Sequence, residues 1–328
     1  MPIIFPNTTA QERTSERSRS SSRAGTAYVP LHHWHVASLD AWHLTSLDAP
    51  TVALAWAWSF AWATGTRLPL QAAAVIVLCV WTVYVGDRLL DASAALGSQM
   101  EDRLRERHYF HWRHRRVLIP LAAAAGTVAA ILVLGCIPAV ARERDSVLAA
   151  ASLVYFARVH QSQLSPARRT RPFFPPIVTK ELLVGVLFAA GCALPSLGAA
   201  WAAPLTTRWV LAGCVAFLAA LAWLNCHAIE QWESGAERNA HQPLRSVAFG
   251  LALLGLVAGL LLYHAHPRPA ILLAAAALSA LLIAILDISN ARTRPLLAPV
   301  TLRAAADLVL LAPAVVIFVA GPIARLVR

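Results

Sequence analysis

The chain has 328 residues, of which 58% are hydrophobic and 14% charged, and its mean hydropathy is +0.58. Soluble domains carry about 25% charged residues, so this composition excludes a water-soluble globular protein and describes one that lives in a bilayer. The formal charge of +11 rests on 28 basic against 17 acidic residues, and Lys180 is the single lysine among the basic ones.

Residues 1 to about 27 are rich in Ser and Arg (ERTSERSRSSSRAG) and too poor in apolar side chains to bury a core, so disorder is expected there. They contain no apolar run of the kind that a cleaved secretory signal needs. Residues 28–48 mix Trp34, Trp42, Leu31, Leu39 and Leu44 with His32, His33, His35 and His43, the pattern of a short helix lying in the membrane interface. Residues 1–48 therefore read as a disordered and interfacial N-terminal region, and 49–328 as one transmembrane domain.

Apolar runs follow near 49–64, 68–87, 117–136, 146–158, 176–195, 207–225, 244–263, 269–288 and 297–320. A full crossing takes about 20 residues, and several of these runs are shorter, yet the gaps between them favour nine spans. The fold expected is an all-α polytopic bundle of about nine transmembrane helices. With the N-terminus placed in the cytoplasm, alternate connecting segments hold 21 Lys and Arg on the inside and 7 on the outside. That bias follows the positive-inside rule and gives an N-in, C-out topology. The five cysteines (Cys79, Cys136, Cys192, Cys214, Cys226) lie in or beside apolar runs without paired spacing, so no disulfide framework or zinc site is expected.

The inside segments also carry the unusual chemistry. In the stretch WTVYVGDRLLDASAAL (81–96) an apolar run meets Asp87, Arg88 and Asp91 with no turn signal. Asp87 and Asp91, four apart, share one helical face and repel unless a cation lies between them. Ionisable groups at the end of a membrane helix mark function more often than not. The next inside segment holds Arg168, Arg169 and Arg171 and leads to Lys180 and Glu181. The third, WLNCHAIEQWESG, holds Asn225, Glu230 and Glu233, and the two glutamates share a face. Arg303 and Asp307 form an i,i+4 pair at the start of the last run. His108, His111 and His114 fall at i, i+3 and i+6, where the third drifts off the face of the first two. That segment reads as a basic, aromatic interfacial piece that binds anionic lipid or covers a diphosphate.

Acid pairs on two helices with arginines between them suit a magnesium-bridged diphosphate. Mg²⁺ takes one or two carboxylates plus phosphate oxygens and keeps water, while Arg and Lys neutralise the remaining phosphate charge. The catalytic and metal-ligating candidates are Asp87, Asp91, Glu230 and Glu233. The diphosphate-binding candidates are Arg88, Asn225, Arg168, Arg169, Arg171 and Lys180.

Asp87-Arg88-Leu89-Leu90-Asp91 resembles the Asp-Arg-x-x-Asp half of the first aspartate-rich motif of the UbiA superfamily of intramembrane prenyltransferases. SPARRTRPFFPP followed by KELLVGVLFAAGCALP is similar to that family's basic loop and fifth helix. NCHAIEQWE followed by HQPLRSVAFG resembles its second acidic motif. The chain departs from the pattern at Val83 and Tyr84, where the family places Asn-Asp, and in using glutamates in the second motif. The resemblance implies a UbiA-like fold and Mg²⁺-dependent transfer of a prenyl group from its diphosphate to a lipophilic or aromatic acceptor. The site would face the cytoplasm, with the protein in a bacterial inner membrane and no nucleic-acid partner. The alternatives are a relative that binds an isoprenoid lipid or serves as a membrane partner without catalysis, and a prenyl-diphosphate lyase or cyclase.

Overall fold

The computed structural model describes residues 33–97, 106–164, 180–234, 242–291 and 297–326. The chain divides into two units, Met1–Ala37 and Ser38–Arg328, and all that follows concerns the second. The segments 98–105 and 165–179, with Arg168, Arg169 and Arg171, lie outside the described residues.

Every regular element among the described residues is helical. In order these are α1 (His33–Leu44), α2 (Asp48–Ala63), α3 (Leu70–Gly97), α4 (Glu106–Arg113), α5 (Arg115–Cys136), α6 (Ala139–Leu164) and α7 (Lys180–Ala193). A 3₁₀ turn (Leu194–Ser196) joins α7 to α8 (Leu197–Ala202). There follow α9 (Leu205–Ser234), α10 (Gln242–Leu262), α11 (Pro267–Asn290), α12 (Pro299–Val309) and α13 (Ala312–Leu326). Proline marks where helices begin: Pro69, Pro138 and Pro204 sit just before α3, α6 and α9, and Pro267 opens α11. A proline there removes only an N–H that has no partner inside the helix anyway.

Helices stand at all nine places where the sequence pattern put spans. Six stretches are long and apolar enough to cross a membrane: Leu70–Leu96, Arg115–Cys136, Lys180–Ala202, Leu205–Glu233, Pro243–Leu262 and Pro267–Asn290. A seventh follows if α12 and α13, bent by 44° at their junction, count as one. The expected spans at 49–64 and 146–158 do not pass on these grounds. Helix α2 has only 16 residues, and α6 carries Arg142, Glu143, Arg144 and Asp145 within its own turns. Outward-facing Leu134, Leu253, Leu260, Leu261 and Phe318 expose apolar surface far beyond what water tolerates, as an integral membrane protein requires.

Close packing rests on small residues. A Cβ at Gly255 would lie 2.9 Å from Ala277 Cβ and 3.0 Å from Leu273 O, and one at Gly259 would lie 2.9 Å from Ala270 O. The Gly-x-x-x-Gly spacing on α10 thus lets its backbone touch α11. Gly185 does the same for α7 against α9, with Ala219 O 2.7 Å and Trp223 N 2.9 Å from its would-be Cβ. The core between these pairs is filled by Trp56, Leu218, Leu221, Leu272 and Ile283, all fully buried. Trp56 meets Phe188 edge to face at 5.5 Å.

The α12–α13 break has a local cause. Pro313 lacks the N–H that would bond Val309 O and clashes with that carbonyl. Ser279 Oγ donates to Val309 O instead at 2.7 Å, and Trp56 Nε1 donates to Leu310 O at 2.8 Å. Non-helical backbone at membrane depth persists only when such partners are supplied.

Candidate functional site

A cavity of about 2040 Å³ is walled by α3, α4, α5, α6, α7, α9 and α12. Helix direction sorts its lining. The C-terminal ends of α3 and α9, the N-terminal end of α7 and the short helix α12 bring Asp87, Arg88, Asp91, Lys180, Glu181, Asn225, Glu230, Glu233, Arg303 and Asp307 to it, joined by Arg107 and His108 of α4. Between the ends the wall is largely apolar, with Ile76, Val80, Leu148, Leu187 and Phe188. Asp87 and Asp91 of α3 therefore share one cavity with Glu230 and Glu233 of α9, and Lys180 lines it from α7.

The four acids are not equivalent. Glu233 Oε1 accepts from Arg107 Nη1 at 2.8 Å and from Arg303 Nη1 at 2.9 Å, with the carboxylate only 16% exposed. Both guanidiniums bond the same carboxylate oxygen. Glu230, one turn earlier on α9, is exposed. Asp91 lies 3.8 Å from His108 Nε2, and both Asp87 and Asp91 are half-buried.

Behind the acids lies a buried polar layer that sequence reading largely missed. Arg88 is 2% exposed and turns inward: its Nη1 donates to His43 O at 2.9 Å and its Nη2 lies 3.5 Å from Asp48 Oδ2. His43 Nδ1 sits 2.5 Å from Asp48 Oδ2 and 3.9 Å from Asp307 Oδ2. Asn225, 4% exposed, donates through Nδ2 to Asp307 Oδ1 at 2.9 Å, and its Oδ1 has no hydrogen-bond partner. The i,i+4 neighbours Arg303 and Asp307 send these bonds to α9, one to Glu233 and the other to Asn225. His43, Asp48 and Asp307 offer ligand atoms within 4.8 Å of one another. Here guanidiniums supply the positive charge: Arg88, Arg107 and Arg303 balance Asp48, Asp307 and Glu233.

Helix α4 closes this end. His111 is fully buried, with Nδ1 2.8 Å from Arg107 O and Nε2 3.0 Å from Ser46 Oγ. The carbonyl can only accept, so Nδ1 carries the proton and Nε2 accepts from the serine. Burial pushes the imidazole pKa down to about 4. Burial likewise lowers that of His43, against the pull of Asp48. Arg107 falls to about 10, first through burial and then through neighbouring Arg303. His114 is exposed and bonds Phe110 O, so the three histidines of this segment serve three different places.

The signals for the missed residues were weak. His43 and Asp48 lie five apart across the α1–α2 turn, where Ser46 takes a positive φ of 61°, and nothing in their spacing announces a pair. Asp287 is fully buried and held by Trp232 Nε1 at 2.8 Å and Arg245 Nε at 2.6 Å. It ties α9, α10 and α11 together. No family model, curated protein or solved structure matches the chain.

Proposed function

We propose that the protein transfers a prenyl group from a prenyl diphosphate to a lipophilic or aromatic acceptor within the membrane. The observation that carries this reading is the shared cavity: acids from α3 and α9, a lysine and guanidiniums at one end, and a long apolar wall beyond. That polarity fits an anionic head on an apolar tail. We take the nine helical segments as nine spans, N-in and C-out in a UbiA-like arrangement, with the charged end toward the cytoplasm of a bacterial inner membrane. The arginine bias supports this orientation.

Asp87, Asp91, Glu230 and Glu233 offer the hard oxygen donors that Mg²⁺ takes, with Arg107 and Arg303 both bonded to a single oxygen of Glu233, Oε1. When bound, the ion would neutralise charge developing on the departing diphosphate. Lys180 meets the phosphates as a point charge, and Arg88 adds a fixed positive charge just behind them. Cleavage of the allylic C–O bond sends the electron pair to the diphosphate and leaves a carbocation. The acceptor's electron pair then forms the new bond, and a proton is lost. The apolar wall keeps water from quenching the cation.

A panel of prenyl diphosphates and quinone-precursor phenols, incubated with the purified protein in nanodiscs, tests this by diphosphate release and product mass. Acceptor-dependent release that Asp87→Asn abolishes supports transfer. Release without acceptor marks a lyase, and binding without release marks a lipid-binding protein.

A further inference from the structure

Resting on the donor reading above, we propose that the donor is a long polyprenyl diphosphate, its chain running the height of the bundle, rather than a short one such as farnesyl. The cavity lining on α3 extends from Gln71 to Ser93, which at 1.5 Å per residue is about 33 Å. That equals the full hydrocarbon thickness of about 30 Å, twice what the acyl chain of one leaflet's phospholipid spans. The volume, about 2040 Å³, is also about double the upper end of ordinary small-molecule clefts, about 1,000 Å³.

The two ends are chemically unlike, which fixes the direction of the chain. At the head end Asn225, 4% exposed, keeps Oδ1 without a hydrogen-bond partner, while Nη2 of buried Arg88 faces Asp48 Oδ2 at 3.5 Å. Gly86, beside Asp87, leaves open space where a side chain would stand, with nothing within 4 Å of its would-be Cβ. At the far end the cavity reaches Cys136, Ile137 and Pro195. The charged residues there, Arg142, Glu143, Arg144 and Asp145, stand together on α6: Arg142 donates to Leu134 O, and Arg144 donates to Asp145 Oδ1 at 2.6 Å and to Leu194 O at 3.3 Å. An anionic head therefore belongs at the Asp87 end and a hydrocarbon terminus at the Cys136 end.

The test titrates the full chain in nanodiscs, with Mg²⁺, with farnesyl and octaprenyl thiolodiphosphates and the matched alcohols as partition controls. Corrected for the alcohols, octaprenyl binds about tenfold or more tighter. Ala72→Trp, about 22 Å along α3 from Asp87 and beyond the reach of a farnesyl chain, cuts octaprenyl affinity far more than farnesyl affinity, whereas Cys79→Trp, about 12 Å away, cuts both. Native Cys136, exposed at the far end, supplies a readout without mutation: octaprenyl thiolodiphosphate protects it from maleimide and farnesyl does not. Equal affinity for both lengths, equal loss of both in Ala72→Trp, or Cys136 labelling indifferent to chain length overturns the long-chain proposal while sparing the donor reading. Failure of every diphosphate to bind removes the donor reading and this proposal with it.

Discussion

Glu230 and Glu233 look interchangeable in sequence and are not. Glu233 is clasped by Arg107 and Arg303, both largely buried; removing one partner from such a buried cluster costs about 3–5 kcal/mol because uncompensated charge is left behind. Glu233→Gln should therefore lower thermal stability in detergent sharply, while Glu230→Gln, at an exposed position, leaves it unchanged. Equal effects of the two would dissolve the distinction. His111 makes a pH prediction. Its folded pKa of about 4 lies below the unfolded value near 6.5, so the unfolded state binds the extra proton between those values. The site's contribution is whole above pH 6.5 and is lost as pH falls toward 4. Thermal scans across that window should show the decline, and His111→Gln should flatten part of it, His43 supplying the rest. Asp87-Arg88-x-x-Asp91 was legible as a cavity-facing acid pair because helical periodicity alone places i and i+4 together. The inward turn of Arg88 onto His43 and Asp48 was not, since its partners come from a different helix pair.

Among the elements, glycines and prolines decide where helices touch and where they break. Gly185→Ala pushes a methyl to 2.7 Å from Ala219 O, and backbone on both sides cannot yield cheaply, so a loss of about 1–3 kcal/mol is expected. Gly213→Ala, which meets nothing within 4 Å, should instead be neutral or gain a few tenths through helix propensity. Denaturant titration in mixed micelles separates the two, and parity between them would contradict the packing account. Ser279→Ala removes the donor that replaces the missing N–H of Pro313 and leaves Val309 O buried without it, a cost of about 1–3 kcal/mol. Apolar runs made all nine helical places readable. Two fall short of the usual length and composition of a span: α2 has 16 residues, and the apolar part of α6 follows directly on Arg142, Glu143, Arg144 and Asp145, both visible in the sequence. The 44° break before α13 was missed, although Pro313 stands four residues after the carbonyl that it frees.

At the scale of the molecule, alternating helix direction gathers the acids of α3 and α9 at one end of the cavity, while the opposite end carries prolines and the Arg142–Asp145 run of α6. The acids of α3 and α9 are about 140 residues apart in sequence, yet they line one cavity because both helices run the same way and end at the same level. Their meeting was expected from composition by side of the membrane. The buried layer of His43, Asp48, Asn225 and Asp307 beneath them was not, because its members are single residues on four helices with no common spacing. That layer pairs Arg88 with Asp48 and Asn225 with Asp307 at the floor of the cavity. The most direct test of the account is calorimetric titration of a prenyl thiolodiphosphate into the purified protein, with and without Mg²⁺. The account predicts metal-dependent binding that Asp87→Asn and Asp91→Asn each weaken by about tenfold or more, with Glu230→Gln weakening it less. Binding that ignores both the metal and the aspartates would contradict it.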